Sequence, residues 1–187
     1  MKKIIIILFI ALFSGLALYL FAYEPITIYN TEDWKFSIPF GRKYDYTNIL
    51  VRRVIDGDTI QLESGERVRL LGIDTPEMHE SDKLYRDSRK TGERPEVIRE
   101  LGERSYKFTR GLVEGERVSL EFDAEKYDQY KRLLAYVYLK KTGTFVNAEI
   151  IRQGYASVMT YPPNVKYADM FLRLYREARE NRRGLWK

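Results

Sequence analysis

Asp56-Gly57-Asp58-Thr59 and Arg69-Leu70-Leu71-Gly72-Ile73-Asp74-Thr75-Pro76-Glu77 bring several carboxylates and an arginine into one short stretch. The stretch is short enough to be a single strand–turn–strand–turn unit. A second arginine, Arg132, follows in Tyr130-Lys131-Arg132-Leu133-Leu134-Ala135-Tyr136. Carboxylates hold a hard cation, a further carboxylate handles a water, and paired arginines bind a phosphate. Those are the parts of metal-assisted phosphodiester hydrolysis.

Each phrase alone has a plainer reading. Asp56-Gly57 is a common hairpin-turn dipeptide. Thr75-Pro76-Glu77 is a good helix start, with a threonine cap, proline in the first turn and an acid near the positive dipole end. Arg69 on its own reads as a solvated strand residue. The order of the phrases, and not any one of them, carries the chemical reading.

Composition narrows the alternatives. The chain has 187 residues, 44% apolar and 32% charged, which fits one globular domain with a charged surface. The formal charge of +5 permits an anionic partner without requiring one. There is no cysteine, so disulfides, zinc–thiolate sites and thiol nucleophiles are excluded. The single histidine, His79, rules out within one chain any mechanism needing a histidine pair. It reads as a surface-loop residue, since the chemistry above needs no histidine.

The elements that must position these residues follow from periodicity. Residues 1–23 carry Met1-Lys2-Lys3 and then an apolar run from Ile4 to Ala22. At about 1.5 Å per residue the run spans nearly a bilayer core. It predicts a signal anchor or a cleaved signal peptide, with the positive leader inside and the body outside the cytoplasmic membrane. Residues 24–47 read as a stalk or irregular extension packing on the domain. Residues 48–187 form the globular body.

Within that body, Ile49 to Asp56 reads as a strand. Ile60 and Leu62 alternate with polar residues up to a Ser64-Gly65 hairpin turn, and Val68 and Leu70 lie on the return strand. Met78 to Glu96 is almost wholly polar and predicts a long mobile loop. Glu96 to Glu114 predicts a helix with a stripe of Val97, Leu101, Phe108 and Leu112. Val118, Leu120 and Phe122 predict a half-buried strand, and Leu133 to Leu139 a central one. Val146 to Arg152 and Ala168 to Asn181 predict helices. The pattern is α+β: a five-stranded oligonucleotide-binding (OB) barrel with about three helices, preceded by an N-terminal hydrophobic segment.

In combination these motifs resemble the staphylococcal nuclease (thermonuclease) family from about Leu50 to Trp186. Val118 to Asp123, Leu134 to Tyr138, Val146-Asn147 and Ile151-Arg152-Gln153-Gly154 add to the resemblance. It implies an OB barrel and Ca2+-dependent hydrolysis of DNA and RNA, leaving 3′-phosphates. Single-stranded nucleic acid would be preferred, and the protein would act as a monomer. By the same resemblance, Asp58, Asp74 and the Thr75 carbonyl match the metal ligands, and Glu77 the residue on the attacking water. Arg69 and Arg132 match the arginines on the phosphate, and Asp56 a nearby acid outside the ligand set. Tyr130 and Tyr161 stand as candidates for substrate stacking.

The sequence departs from the family in places. Lys131 precedes Arg132 where the family usually has glycine, which bears on that arginine's approach. The 78–96 segment is longer than the typical loop beside the site. A catalytically inactive OB module that binds single-stranded nucleic acid or a protein partner is the competing reading. Inactive relatives typically lose site acids or arginines, whereas this chain keeps Asp58, Arg69, Asp74, Glu77 and Arg132.

Overall fold

The computed structural model describes residues 23–29, 35–41 and 44–187. The chain divides into two units, Met1–Tyr44 and Asp45–Lys187. In the first, β1 (Tyr23–Tyr29) pairs antiparallel with β2 (Lys35–Gly41) in a two-stranded ribbon. The stretch read as an irregular extension therefore contains regular pairing. The apolar run Ile4–Ala22 lies outside the described residues, and no described helix is long and apolar enough to cross a membrane.

The second unit is built on a closed barrel of five strands: β3 (Ile49–Asp56), β4 (Thr59–Leu62), β5 (Arg67–Leu70), β7 (Arg117–Glu121) and β8 (Leu133–Leu139). Their order is β3-β4-β5-β8-β7, with β3 closing on β7. All pairs are antiparallel except β5 with β8. Closure leaves no exposed sheet edge. Val51, Ile60, Leu62, Val68, Val118, Leu133, Ala135 and Val137 fill the interior. Gly65 turns the β4–β5 hairpin at φ 90°, a backbone region that disfavours residues with a Cβ.

β8 is apolar on both faces, as expected of a central strand. Its Tyr136 leaves the barrel interior and enters an aromatic cluster with Phe145, Tyr167 and Phe171, at centroid distances of 6.0, 4.6 and 6.2 Å. That cluster seats α4 (Ala168–Glu180). α3 (Val146–Arg152) is fastened by Asn147, which accepts from Val137 N and donates to Leu71 O. A short ladder of β6 (Ile73–Asp74) with β9 (Ser157–Val158) lies beside the barrel.

Two expectations need correction. The segment read as a mobile loop contains a helix, α1 (Asp82–Thr91), so the barrel carries four α-helices. Ser81 Oγ caps it by accepting from Leu84 N, and Gly92 ends it at φ 76°. Only Leu84 is buried, so there was no apolar stripe to detect.

α2 (Pro95–Val113) is where the periodicity put it, but its buried stripe is Ile98, Gly102, Ser105, Thr109 and Val113. The expected stripe of Val97, Leu101, Phe108 and Leu112 flanks this line and is half-buried. Small residues take the contact line because the helix backbone lies close to the loops below it. Ser105 Oγ donates to Tyr155 O and Thr109 Oγ1 to Gly57 O, while Phe108 stacks on Tyr155 at 4.3 Å.

Candidate active site

Asp58 sits in the β3–β4 turn and is 4% exposed. The Asp-Gly-Asp phrase is thus both a turn and part of the site. Asp58 Oδ1 accepts from Thr59 Oγ1 at 3.0 Å, and Oδ2 from Thr75 N at 3.0 Å and Thr75 Oγ1 at 3.1 Å. Gly57 makes this junction possible, because a Cβ there would lie 2.7 Å from Thr75 Oγ1. Burial alone would raise the Asp58 pKa. Arg69, the Thr75 amide and Lys83 outweigh it and hold the carboxyl below its usual range.

Arg69 projects from β5 between two acids. Its Nη1 is 2.5 Å from Asp58 Oδ2 and its Nη2 is 3.1 Å from Asp74 Oδ1. The Nη1 contact is an ion pair without hydrogen-bond alignment, so Nη1 is buried with no hydrogen-bond acceptor among the described residues. Asp74 ends β6, whose register opposite Ser157 is locked by Ser157 Oγ donating to Asp74 O at 3.1 Å. Lys83 Nζ reaches in from α1 to Asp74 Oδ1 and Thr75 O, each at 3.1 Å. Burial disfavours the Lys83 charge, but Asp74 and Asp58 more than compensate and raise its pKa.

Asp56 faces the same acids from the end of β3. Burial first, then the neighbouring Asp58 and Glu77 charges, push its pKa up to about 6 against the Gly57 amide that favours ionisation. Its charge therefore responds to pH closer to neutrality than that of an ordinary aspartate.

Thr75-Pro76-Glu77 starts no helix; the chain is irregular from Thr75 to Met78. Glu77 Oε1 accepts from Met78 N at 3.1 Å and His79 N at 3.2 Å, which fixes the carboxylate over its own loop. His79 itself is exposed, as expected of a surface residue.

Arg132 approaches from the start of β8. Its Nε donates to Asp128 Oδ2 at 2.7 Å, and Asp128 Oδ1 accepts from the Arg132 and Tyr130 amides, each at 2.9 Å. Lys131 between them adopts φ 61°, the conformation that glycine would take without strain. The guanidinium also lies 5.5 Å from the centroid of the Tyr130 ring.

Asp56, Asp58, Arg69, Asp74, Glu77 and Arg132 all line one cleft of about 480 Å³. Its rim carries Tyr127, Tyr130 and Tyr161, which are 50%, 71% and 65% exposed. The Tyr161 loop is tied across the cleft by buried Asn164, whose Oδ1 accepts from Glu125 N and whose Nδ2 donates to Glu125 O. Among the described residues no group of three or more His, Asp or Glu side chains forms a ready metal cluster. The oxygens brought together are instead two carboxylates, joined through Arg69, and one carbonyl, joined to Asp74 through Lys83.

Residues 67–187 match the family described as staphylococcal nuclease homologue. The chain belongs to the staphylococcal nuclease family. It is 36% identical over 141 residues to the thermonuclease of Staphylococcus intermedius, covering 74% of this chain and 75% of that one. It is 33% identical over 164 residues to the endonuclease YncB of Bacillus subtilis, covering 84% and 71%. An uncharacterised protein of Methanocaldococcus jannaschii is 34% identical over 170 residues, covering 84% and 81%.

Several cleft residues of this staphylococcal nuclease family member escaped sequence reading. Lys83 and Arg86 sit on the helix mistaken for a loop. Tyr127 was one of fifteen tyrosines with nothing local to mark it. Asp128 had a usable signal: it stands four residues before Arg132, and a short acid in a turn often binds the amides that follow it.

Proposed function

We propose that the protein is a calcium-dependent nuclease that hydrolyses phosphodiester bonds in DNA and RNA and leaves 3′-phosphates. Family membership and the thermonuclease and endonuclease relatives support nuclease activity. The observation that carries the finer reading is Arg69 lodged between Asp58 and Asp74 at the floor of a cleft that also holds Glu77 and Arg132.

The donor set suits calcium, which accepts hard oxygen ligands in loose geometry and keeps several waters. Asp58, Asp74 and the Thr75 carbonyl would hold it. Asp74 Oδ1 and Thr75 O already share one cationic partner, the Lys83 ammonium, so this corner favours positive charge. When bound, calcium neutralises phosphoryl charge and helps to place the attacking water.

The chain's own groups supply the rest. Arg69, which lines the cleft between Asp58 and Asp74, and Arg132, held through Nε by Asp128, would supply guanidinium donors to phosphoryl oxygens. Both would bind most strongly as negative charge builds in the transition state. Glu77 keeps one oxygen on the Met78 and His79 amides, leaving the other to accept a hydrogen bond from the water. The tyrosine rim offers faces on which unpaired bases stack, which favours single-stranded substrates.

Kinetics of Glu77→Gln and Arg132→Ala on a single-stranded oligonucleotide test this reading. Turnover should fall on the order of 10²–10³ with KM little changed. A change confined to KM would contradict the transition-state roles. The apolar run Ile4–Ala22 after Lys2-Lys3 further supports an anchored or exported protein with its catalytic body outside the cytoplasmic membrane. Protease accessibility in intact cells checks that orientation, and protection until lysis would reverse it.

A further inference from the structure

Lys83 stands in the first turn of α1, yet its ammonium turns inward. A surface lysine ordinarily keeps its head in water. Here Nζ is 3.1 Å from Asp74 Oδ1 and 3.1 Å from the Thr75 carbonyl oxygen, with the side chain 28% exposed. The turn that delivers it is fixed on both sides. Ser81 caps the helix, and Leu84, the next residue, is the one side chain that α1 buries.

An ammonium and a calcium ion seek the same partners: oxygens that carry negative charge. Calcium would need those oxygens at about 2.3–2.6 Å. Two cations cannot both be seated against the same carboxylate oxygen and the same carbonyl. Arg69 Nη2 also reaches Asp74 Oδ1, at 3.1 Å, but Arg69 makes no hydrogen bond to the Thr75 carbonyl. Among the described residues, Lys83 is the one cation that spans the pair that the metal reading assigns to calcium.

We propose that Lys83 is a built-in competitor for the metal, its ammonium holding Asp74 Oδ1 and Thr75 O until calcium displaces it. The inference rests on the assignment of those oxygens to calcium. Its consequence is an apparent affinity lowered by the fraction of molecules in which Lys83 holds the oxygens. The lysine thereby sets the calcium concentration at which the site fills. A second consequence is that the ammonium adds to Arg69, which bridges Asp58 and Asp74, in offsetting the charge of the two acids when no metal is bound.

Calorimetric titration of the full-length protein with calcium chloride tests this, comparing wild type, Lys83→Met, Lys83→Gln and Asp74→Asn. Both lysine variants should bind calcium on the order of tenfold more tightly, equivalent to about 1.4 kcal/mol. In chelator their melting temperatures should be at or below that of the wild type, and the rise on adding calcium should be larger. Unchanged or weaker binding in both lysine variants, with binding lost in Asp74→Asn, would overturn the competitor role and leave the metal assignment intact. Wild-type binding by Asp74→Asn would overturn the metal assignment and this inference together.

Discussion

Gly102 of α2 lies directly against the backbone of Glu77. A Cβ at position 102 would sit 2.7 Å from both the carbonyl carbon and the carbonyl oxygen of Glu77, and 2.8 Å from Pro76 O. The loop that presents the acid is thus seated on a helix with no side chain at the contact. Thr109, two turns further along, donates to Gly57 O at 2.7 Å, so the same helix also supports the turn that presents Asp58.

Gly102→Ala should therefore lift Glu77 from its position. The backbone cannot yield as a flexible side chain would, and overpacking of this kind costs about 1–3 kcal/mol. Thermal unfolding should show that loss, and kcat should fall by on the order of tenfold or more.

Asp128→Ala should act through Arg132. The carboxylate takes the Arg132 Nε and the amides of Tyr130 and Arg132, so its loss frees both the side chain and the loop beneath it. The expected result is a drop in kcat on the order of tenfold, with KM for a short oligonucleotide little changed. The separation of kcat from KM in steady-state kinetics distinguishes lost positioning from lost affinity.

Sequence alone showed the barrel because its strands carry either alternating or continuously apolar runs, and Ile49–Asp56 and Leu133–Leu139 fall where those runs put them. It singled out acids and an arginine that the fold gathers into one cleft because Asp56, Asp58, Arg69, Asp74 and Glu77 cluster around two turns. Arg132 joins them from farther along the chain. It missed α1, whose ten residues bury only Leu84 and are held by caps instead of an apolar stripe. It misplaced the buried face of α2 by one residue, because close backbone approach selected Gly102, Ser105 and Thr109 over the larger apolar neighbours. Lys83 was invisible for a related reason, and Asp128 showed only its spacing from Arg132. Their roles come from contacts made by folding, at positions where a charged surface residue is the ordinary expectation.

Lys131 offers a test of backbone strain. At φ 61° a residue with a Cβ costs on the order of 1 kcal/mol relative to glycine, partly offset by glycine's greater freedom when unfolded. Lys131→Gly should leave stability unchanged or raise it by up to about 1 kcal/mol, with kcat preserved. Lys131→Val should destabilise clearly, because β-branched residues tolerate this region worst. Denaturant midpoints of the two variants provide the comparison.

Asp56 predicts an unusual pH dependence for the calcium-free protein. Its folded pKa, about 6, lies above the ordinary 3.8, so the native state binds the proton more tightly than the unfolded chain. The stabilisation is complete below about pH 4 and is lost as pH rises through about 6. Asp56→Asn removes that loss while keeping an oxygen for the Gly57 amide. It should stabilise the chelated protein at pH 7 by on the order of 2 kcal/mol and have little effect near pH 4. Thermal melts across that range read the difference.

The central claim is that the Asp58–Arg69–Asp74 corner is a calcium-dependent phosphodiesterase site. The most direct measurement is cleavage of an end-labelled single-stranded DNA by the full-length protein and its Asp58→Asn variant. Each is assayed in calcium and in excess chelator, with the product ends identified. The account predicts cleavage by the wild type in calcium alone, products ending in 3′-phosphate, and a rate for Asp58→Asn lower by on the order of 10²–10³. Cleavage in chelator at the full rate, or full activity of Asp58→Asn, would contradict it.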